Sequence, residues 1–118
     1  VILLGGCADV YSPKAIRATM GAIFRQRFFQ WSMEELTAAL DRWELPLWGA
    51  ALDEHARDIR RVSLERCAVA VGNEGHGLSD VLLEHCRGKL IIPMAPESES
   101  LNAAVAASLI LWEMRREI

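Results

Sequence analysis

The sequence predicts an α/β protein with a mainly parallel sheet and helices on both of its faces. Three observations predict it. Strand-like and helix-like segments alternate along the chain. The strand-like segments, such as residues 1–4 and 67–71, are continuous apolar runs, not the apolar/polar alternation of a sheet with one wet face. No internal repeat, low-complexity tract or linker divides the 118 residues, a length that suits one such unit.

Val1 to Leu4 reads as a buried strand ended by Gly5-Gly6, glycine pairs being strong chain punctuators. A loop follows at Asp9 to Pro13. Ser12 is placed to cap a helix over about 13–23, with Pro13 at its first position, where a missing N–H costs nothing. Arg27 to Gln30 is a second short strand. Ser32, with Glu35 three residues on, forms a capping box. It opens a helix to about Trp43 that carries Leu36, Ala39, Leu40 and Trp43 on one face. Leu45 to Ala51 is a third strand, in which Pro46 is tolerable only at the start. The charged stretch Asp53 to Arg66 reads as an exposed connection with room for a helical turn. Cys67 to Val71 is a continuous apolar strand stopped by Gly72. Ser79 caps a helix over about 79–86. Lys89 to Ile92 is the last strand, stopped by Pro93, and Leu101 to Arg116 is the longest helix. That helix is apolar on nearly every side, which requires burial on every side. A dimer interface would supply it, and so would cover from chain outside these 118 residues.

Composition narrows the class. Apolar residues make up 52% and charged residues 25%, ordinary for a globular protein. A chain of this length buries roughly two-thirds of its unfolded surface, so no disulfide or metal staple is required. There is no apolar run of about 18 residues, hence no expected membrane-spanning helix. Val1 to Leu4 is too short, and lacks the basic flank, for a signal peptide. Three irregularly spaced cysteines argue against a disulfide framework and fit a reducing cytoplasm. The histidines and cysteines show no zinc spacing, so no metal is expected. The net charge of -3 excludes a polycation. Residues 1–31 nonetheless carry Lys14, Arg17, Arg25 and Arg27 against Asp9 alone. Such a patch suits phosphate and equally suits a solvated surface.

Two loops could hold chemistry. Val71-Gly72-Asn73-Glu74-Gly75-His76-Gly77-Leu78-Ser79 joins a buried strand to a helix with three glycines in six residues. Glycines there let backbone approach a ligand, and ligands of open α/β sheets bind beyond the carboxyl ends of strands. The loop is neither a phosphate loop nor a dinucleotide fingerprint, since no Gly-Lys-Ser/Thr follows and the glycine spacing is wrong. Glu74 disfavours an anion and favours a neutral or cationic ligand. The same residues also read as a tight turn with a structural carboxylate. The second loop runs from Ile92 to Asn102, stiffened by Pro93 and Pro96. Ser100 is placed to cap the long helix, and Asn102, in its first turn, to bond across to a neighbouring loop.

Three segments in this order resemble the SpoU family of RNA ribose 2′-O-methyltransferases, within the SPOUT superfamily. They are Tyr11-Ser12-Pro13-Lys14 through Arg25, then Gly72-Asn73-Glu74-Gly75-His76-Gly77-Leu78, then Ile92-Pro93-Met94 through Ser100-Leu101-Asn102-Ala103-Ala104-Val105-Ala106. The resemblance implies a trefoil-knotted α/β fold, S-adenosylmethionine as methyl donor, tRNA or rRNA as substrate, and a homodimer through the C-terminal helix with the active site near the interface. Periodicity alone would dismiss a knot. By position, Gly72, Ile92 and Leu101 are implied to touch the adenosine part, with Asn73, Gly75, Gly77 and Met94 in the same two walls and Leu52 after the third strand. Glu74, Ser100 and Asn102 match the family's polar active-site set. Lys14, Arg17 and Arg25 are implied as RNA contacts, with Arg17 open between RNA and the cofactor pocket.

Methyl transfer to a hydroxyl needs in-line positioning and a base, or a group that lowers the hydroxyl pKa. The family's earlier motif, an asparagine and an arginine on a strand and helix preceding Val1 to Leu4, has no match here. The expectation is therefore the C-terminal part of a methyltransferase domain, lacking its first strand and helix, with reduced or no activity alone. A catalytically inactive module that keeps the cofactor fold and binds RNA or a partner is the alternative. A flavodoxin-like nucleotide-binding domain is disfavoured by the loop spacings.

Overall fold

The computed structural model describes residues 1–72, 77–97 and 101–116. The chain divides into two compact units, Val1–Ala39 and Leu40–Ile118. Among the described residues the strand pairings are parallel, and six strands fall into two sheets rather than one.

In the first unit, β1 (Ile2–Leu3) pairs with β2 (Phe29–Gln30), Ile2 opposite Phe29 and Leu3 opposite Gln30. Between them lies α1 (Pro13–Ala18), which starts as its sequence predicts: Ser12 Oγ accepts the Ala15 N–H at 3.3 Å, and Pro13 occupies the first turn. The helix stops at Ala18, short of the predicted end at 23. Met20 (φ 48°) and Gly21 (φ 89°) enter the left-handed region, which terminates an α-helix, and only a 3₁₀ turn, Ala22–Phe24, follows. The capping box forms as expected, with Ser32 Oγ accepting the Glu35 N–H at 3.1 Å and Glu35 Oε1 accepting the Ser32 N–H at 3.3 Å. It opens α2 (Met33–Arg42), which runs across the boundary between the units.

The second unit begins at the close of α2. Glu44 takes a positive φ of 51°, and the Leu45 N–H reaches back to the Leu40 carbonyl at 2.9 Å, a Schellman-type stop. Arg66 adds cationic donors at the same helix end, its guanidinium reaching the Trp43 and Glu44 carbonyls at 2.6 and 3.0 Å. Leu36 and Leu40 are buried as the apolar stripe predicts, but Trp43 is 51% exposed, because the helix has already ended at Arg42.

The sheet of this unit has the order β4-β6-β3-β5: β3 is Leu47–Ala50, β4 Arg57–Asp58, β5 Ala68–Ala70 and β6 Gly88–Ile91. Strand residues alternate between two covered faces. Trp48, Ala50, Val69, Leu90 and Ile92 pack with Ile59, Leu64, Ile110 and Met114 in one apolar cluster, so α4 (Ala103–Met114) covers that face. A Cβ on Gly49 would meet Leu78, Leu83 and Cys86 at 3.0–3.3 Å, so α3 (Asp80–Glu84) and its flanks cover the other. Ser79 caps α3 as predicted, accepting the Leu82 N–H at 3.2 Å.

One expectation needs correction. The stretch 53–66 is not merely an exposed connection. It contains β4 and a 3₁₀ turn, Ile59–Arg61, and it buries Ile59 and Leu64. A strand of two charged residues shows neither an apolar run nor alternation, so only its pairing with β6 reveals it. Within this single chain the long helix is covered along one stripe, as expected of its own sheet alone. Ile110 is buried, while Val105, Leu109, Leu111 and Trp112 are 41–75% exposed, since one sheet face covers one stripe of a helix.

The order of strands has one geometric consequence for the site. Ala50, the last residue of β3, and Arg57, the first of β4, both pair with Leu90 of β6. The connection 51–56 therefore leaves and returns at the same level, straddling β6.

Candidate functional site

The carboxyl ends of β3, β5 and β6 open into one cleft of about 350 Å³, the size range of small-molecule sites. Ala50, Ala51 and Leu52 form the wall after β3, and Val71 and Gly72 the wall after β5. Ile91 ends β6, Ile92 and Met94 follow it, and Leu101 just before α4 closes the cleft with Ala103 and Ala106 of that helix. Leu78 and Gly77 complete the wall opposite α4's start. Every lining side chain among the described residues is apolar, so within them polar recognition falls to backbone N–H and C=O groups at strand ends and loops.

Glycine shapes the cleft at one position above all. A Cβ on Gly72 would stand 2.5 Å from the Gly77 carbonyl carbon and 2.6 Å from its oxygen, a backbone approach no other residue permits. The two ends of the Gly72–Gly77 loop thus lie against each other, and Gly77 itself has a φ of 62°.

The residues singled out in the sequence distribute clearly. Leu52, Gly72, Gly77, Ile92, Met94 and Leu101 come together on this one cleft. Leu52 is 65% exposed and forms the rim. Asn73, Glu74, Gly75 and Ser100 lie outside the described residues. Asn102 caps α4; the loop residues 73–76 and 98–100, to which it could also bond, lie outside the described residues. Its Oδ1 accepts the Ala104 and Val105 N–H groups at 2.9 and 3.3 Å. A side chain at the N-cap satisfies its own helix first, and with Oδ1 so engaged its remaining offer to a ligand is the amide N–H pair. Lys14, Arg17 and Arg25 are all exposed and belong to the first unit.

Sequence reasoning did not single out Ala50, Ala51, Ile59, Val71, Leu90, Ile91, Ala103, Ala106 or Ile110 as cleft residues. Ile59 was hidden in the charged connection. Val71, Leu90 and Ile91 had a usable signal, since they belong to apolar runs that end at the cleft.

The electrostatics around the cleft are simple. Lys89 Nζ donates to Asp53 Oδ2 at 2.5 Å, and this bond, with the His55 N–H on Oδ1, holds the Asp53 carboxyl below the usual carboxylate range. Asp58 is held lower, down to about 2, by a two-pronged contact with the Arg60 guanidinium and by the Arg60 backbone N–H. Burial pushes the Cys67 and Cys86 thiols up, which leaves both un-ionised and poor nucleophiles. Among the described residues no three His, Cys, Asp or Glu side chains gather as a metal would need, and no helix is long and apolar enough to cross a membrane.

A parallel sheet with an apolar cleft past its strand ends, pinched by glycine, defines an α/β protein whose cleft has the place and size of a small-molecule site. The chain belongs to the SpoU rRNA Methylase family, whose model matches residues 1–112. It is 31% identical over 115 residues to the 23S rRNA (guanosine(2553)-2′-O)-methyltransferase RlmP of Bacillus subtilis, covering 98% of this chain and 46% of that protein. It is 31% identical over 132 residues to the 23S rRNA (uridine(2479)-2′-O)-methyltransferase of Streptomyces viridochromogenes, covering 99% and 43%. Among solved structures, the SpoU methyltransferase AviRb from Streptomyces viridochromogenes in complex with AdoMet superposes with a TM-score of 0.89 at 30% identity, over 98% of this chain and 48% of that one. The chain spans a little under half the length of these relatives.

Proposed function

We propose that the chain forms the methyl-donor pocket of an RNA 2′-O-methyltransferase that uses S-adenosylmethionine and acts on a ribose of rRNA or tRNA. The observation that carries this reading is the glycine-pinched apolar cleft at the ends of β3, β5 and β6. It suits a ligand with a planar apolar base and a short aliphatic chain. The relatives support it: two are named as 23S rRNA 2′-O-methyltransferases, and the AviRb structure holds AdoMet.

The bound cofactor supplies an electrophilic methyl group. The chain's own residues do the rest. Gly72, Ile92 and Leu101 hold the adenosine part, with Leu52, Asn73, Gly75, Gly77 and Met94 around it. Glu74 offers a carboxylate that suits a sulfonium charge. Asn102 offers amide N–H groups to acceptor oxygens, and Ser100 offers a hydroxyl. Lys14, Arg17 and Arg25, fixed on and after α1, meet RNA phosphates and set its register.

The same reading includes a homodimer through α4, supported by the exposed Leu109, Leu111 and Trp112 on one short helix. It includes a trefoil knot, supported by the way 51–56 straddles β6, and a cytoplasmic setting, supported by three free cysteines. Calorimetry with S-adenosylmethionine tests the pocket. Saturable one-to-one binding per chain, lost with S-adenosylhomocysteine as competitor, is expected, and no saturable binding overturns the reading. Transfer of tritiated methyl to rRNA, with 2′-O-methylnucleoside recovered after digestion, tests the chemistry.

A further inference from the structure

The arch 51–56 does two things at once. It straddles β6, and it carries Ala51 and Leu52 into the cleft wall, while β6 supplies Leu90 and Ile91 to the same cleft. The arch is tied to β6 at two points. One is backbone: the Ala51 N–H donates to the Leu90 carbonyl at 3.1 Å. The other is Asp53, each of whose three oxygens accepts a hydrogen bond. Its Oδ2 takes the Lys89 ammonium at 2.5 Å, its Oδ1 the His55 N–H at 2.8 Å, and its carbonyl the Ala56 N–H at 3.0 Å. The two side chains are 25% and 35% exposed, so this pair is shielded more than a surface ion pair. Lys89 lies opposite Gly49 in the ladder, on the face covered by α3, and neither Asp53 nor Lys89 lines the cleft.

We propose, resting on the reading of the cleft as the methyl-donor pocket, that Asp53 and Lys89 are a positioning pair: they hold the arch against β6 and so set the gap between the Ala51–Leu52 wall and the Ile91–Ile92 wall. They touch no ligand and act only through the arch. The backbone tie at Ala51 and the β4–β6 pairing remain when the pair is broken, so the fold persists and the pocket widens.

The test is calorimetry with S-adenosylmethionine on Asp53→Asn, Lys89→Met, Lys89→Arg and the exchanged double variant D53K/K89D. Each neutral variant is expected to weaken binding about fivefold, the upper end for a partly exposed ion pair, with a cooperative melt retained. Lys89→Arg is expected to stay within about twofold of wild type, because the charge remains, and the exchanged pair to recover most of the affinity. In turnover, KM for S-adenosylmethionine rises while kcat at saturation holds. Wild-type affinity in both neutral variants overturns the proposal, and so does an affinity loss that comes only with loss of the cooperative melt. A wild-type chain that binds no S-adenosylmethionine overturns the pocket reading instead. Amide exchange over 51–56 then still decides the pair's role: faster exchange in Asp53→Asn upholds the hold on the arch, and unchanged exchange overturns it.

Discussion

The two units of the chain use their apolar and charged residues in opposite ways. In Leu40–Ile118, Trp48, Ile59, Leu64, Leu90 and Ile110 gather into one buried cluster under a four-stranded sheet, and the apolar surface left over lines a cleft. In Val1–Ala39, a two-stranded sheet and a six-residue helix bury little. Ile23 and Leu36 are covered, while Tyr11, Met20 and Phe24 are 67–92% exposed beside Lys14, Arg17 and Arg25. The difference matches the ligands proposed for each. A small molecule with an apolar base is held by enclosure, which needs a rigid sheet end. A polyanion is held by charges spread over an open surface, which needs little enclosure.

The sharpest way to break this contrast is to remove the core on one side only. Trp48 is 5% exposed, stands under Arg57 with the guanidinium 5.9 Å from its ring, and fills the space that Gly88 leaves. Trp48→Ala is expected to cost about 3–5 kcal/mol, the range for a large buried aromatic, read from the urea midpoint at unchanged slope. A cost below about 1 kcal/mol would mean that the cluster is not what holds Leu40–Ile118 together.

Next in size is the pinch itself. Gly72→Ala places a methyl group 2.5 Å from the Gly77 carbonyl carbon, so backbone must move to admit it. Binding of S-adenosylmethionine is expected to fall by more than about tenfold, roughly 1.4 kcal/mol, while the urea midpoint moves less than in Trp48→Ala. Equal binding in the variant would remove this loop from the pocket.

These two positions also show what the sequence made legible. Capping at Ser12, Ser32 and Ser79 follows from local chemistry within three residues, and each forms as read. The apolar runs at 47–50, 68–70 and 88–91 fix parallel strands for the same reason. Gly72 is visible as a glycine, but its contact with Gly77 depends on how the loop folds back. The straddling arch is illegible, because β4 is two charged residues whose only strand signal is a partner far along the chain. The end of α1 fails in the same way: nothing local forces Met20 to a φ of 48°. Of the residues that the family resemblance implies for the cofactor, Leu52, Gly72, Gly77, Ile92, Met94 and Leu101 fall on one cleft. Composition alone gave no more than two loops at strand ends.

On the first unit the matching experiment is electrostatic. Lys14→Ala, Arg17→Ala and Arg25→Ala together are expected to weaken RNA binding by a similar factor for every sequence. They should also flatten its salt dependence by roughly 0.7 per lost phosphate contact on single strands. Binding of S-adenosylmethionine should be untouched. A variant whose cofactor binding falls while its salt slope stays unchanged would move Arg17 from the RNA surface to the pocket.

The smallest expected effect lies at β4, where the arch lands. Asp58 Oδ1 and Oδ2 accept from Arg60 Nε and Nη2 at 3.0 and 2.6 Å, and Oδ1 also accepts the Arg60 backbone N–H at 2.9 Å. These contacts favour the carboxylate, so the folded-state pKa of about 2 lies below the unfolded value of roughly 3.9. A depressed pKa means that the unfolded chain takes up the proton first. The pair's contribution to stability is therefore full above about pH 4 and disappears as pH falls toward 2. Arg60 is 62% exposed on its side chain, so solvent screens much of the attraction. In Asp58→Asn the thermal midpoint should fall slightly at pH 7, and the acid limb between pH 4 and 2 should become shallower than in wild type. Identical acid limbs in the two proteins would show that the Asp58–Arg60 contact does not tie the end of the arch in solution.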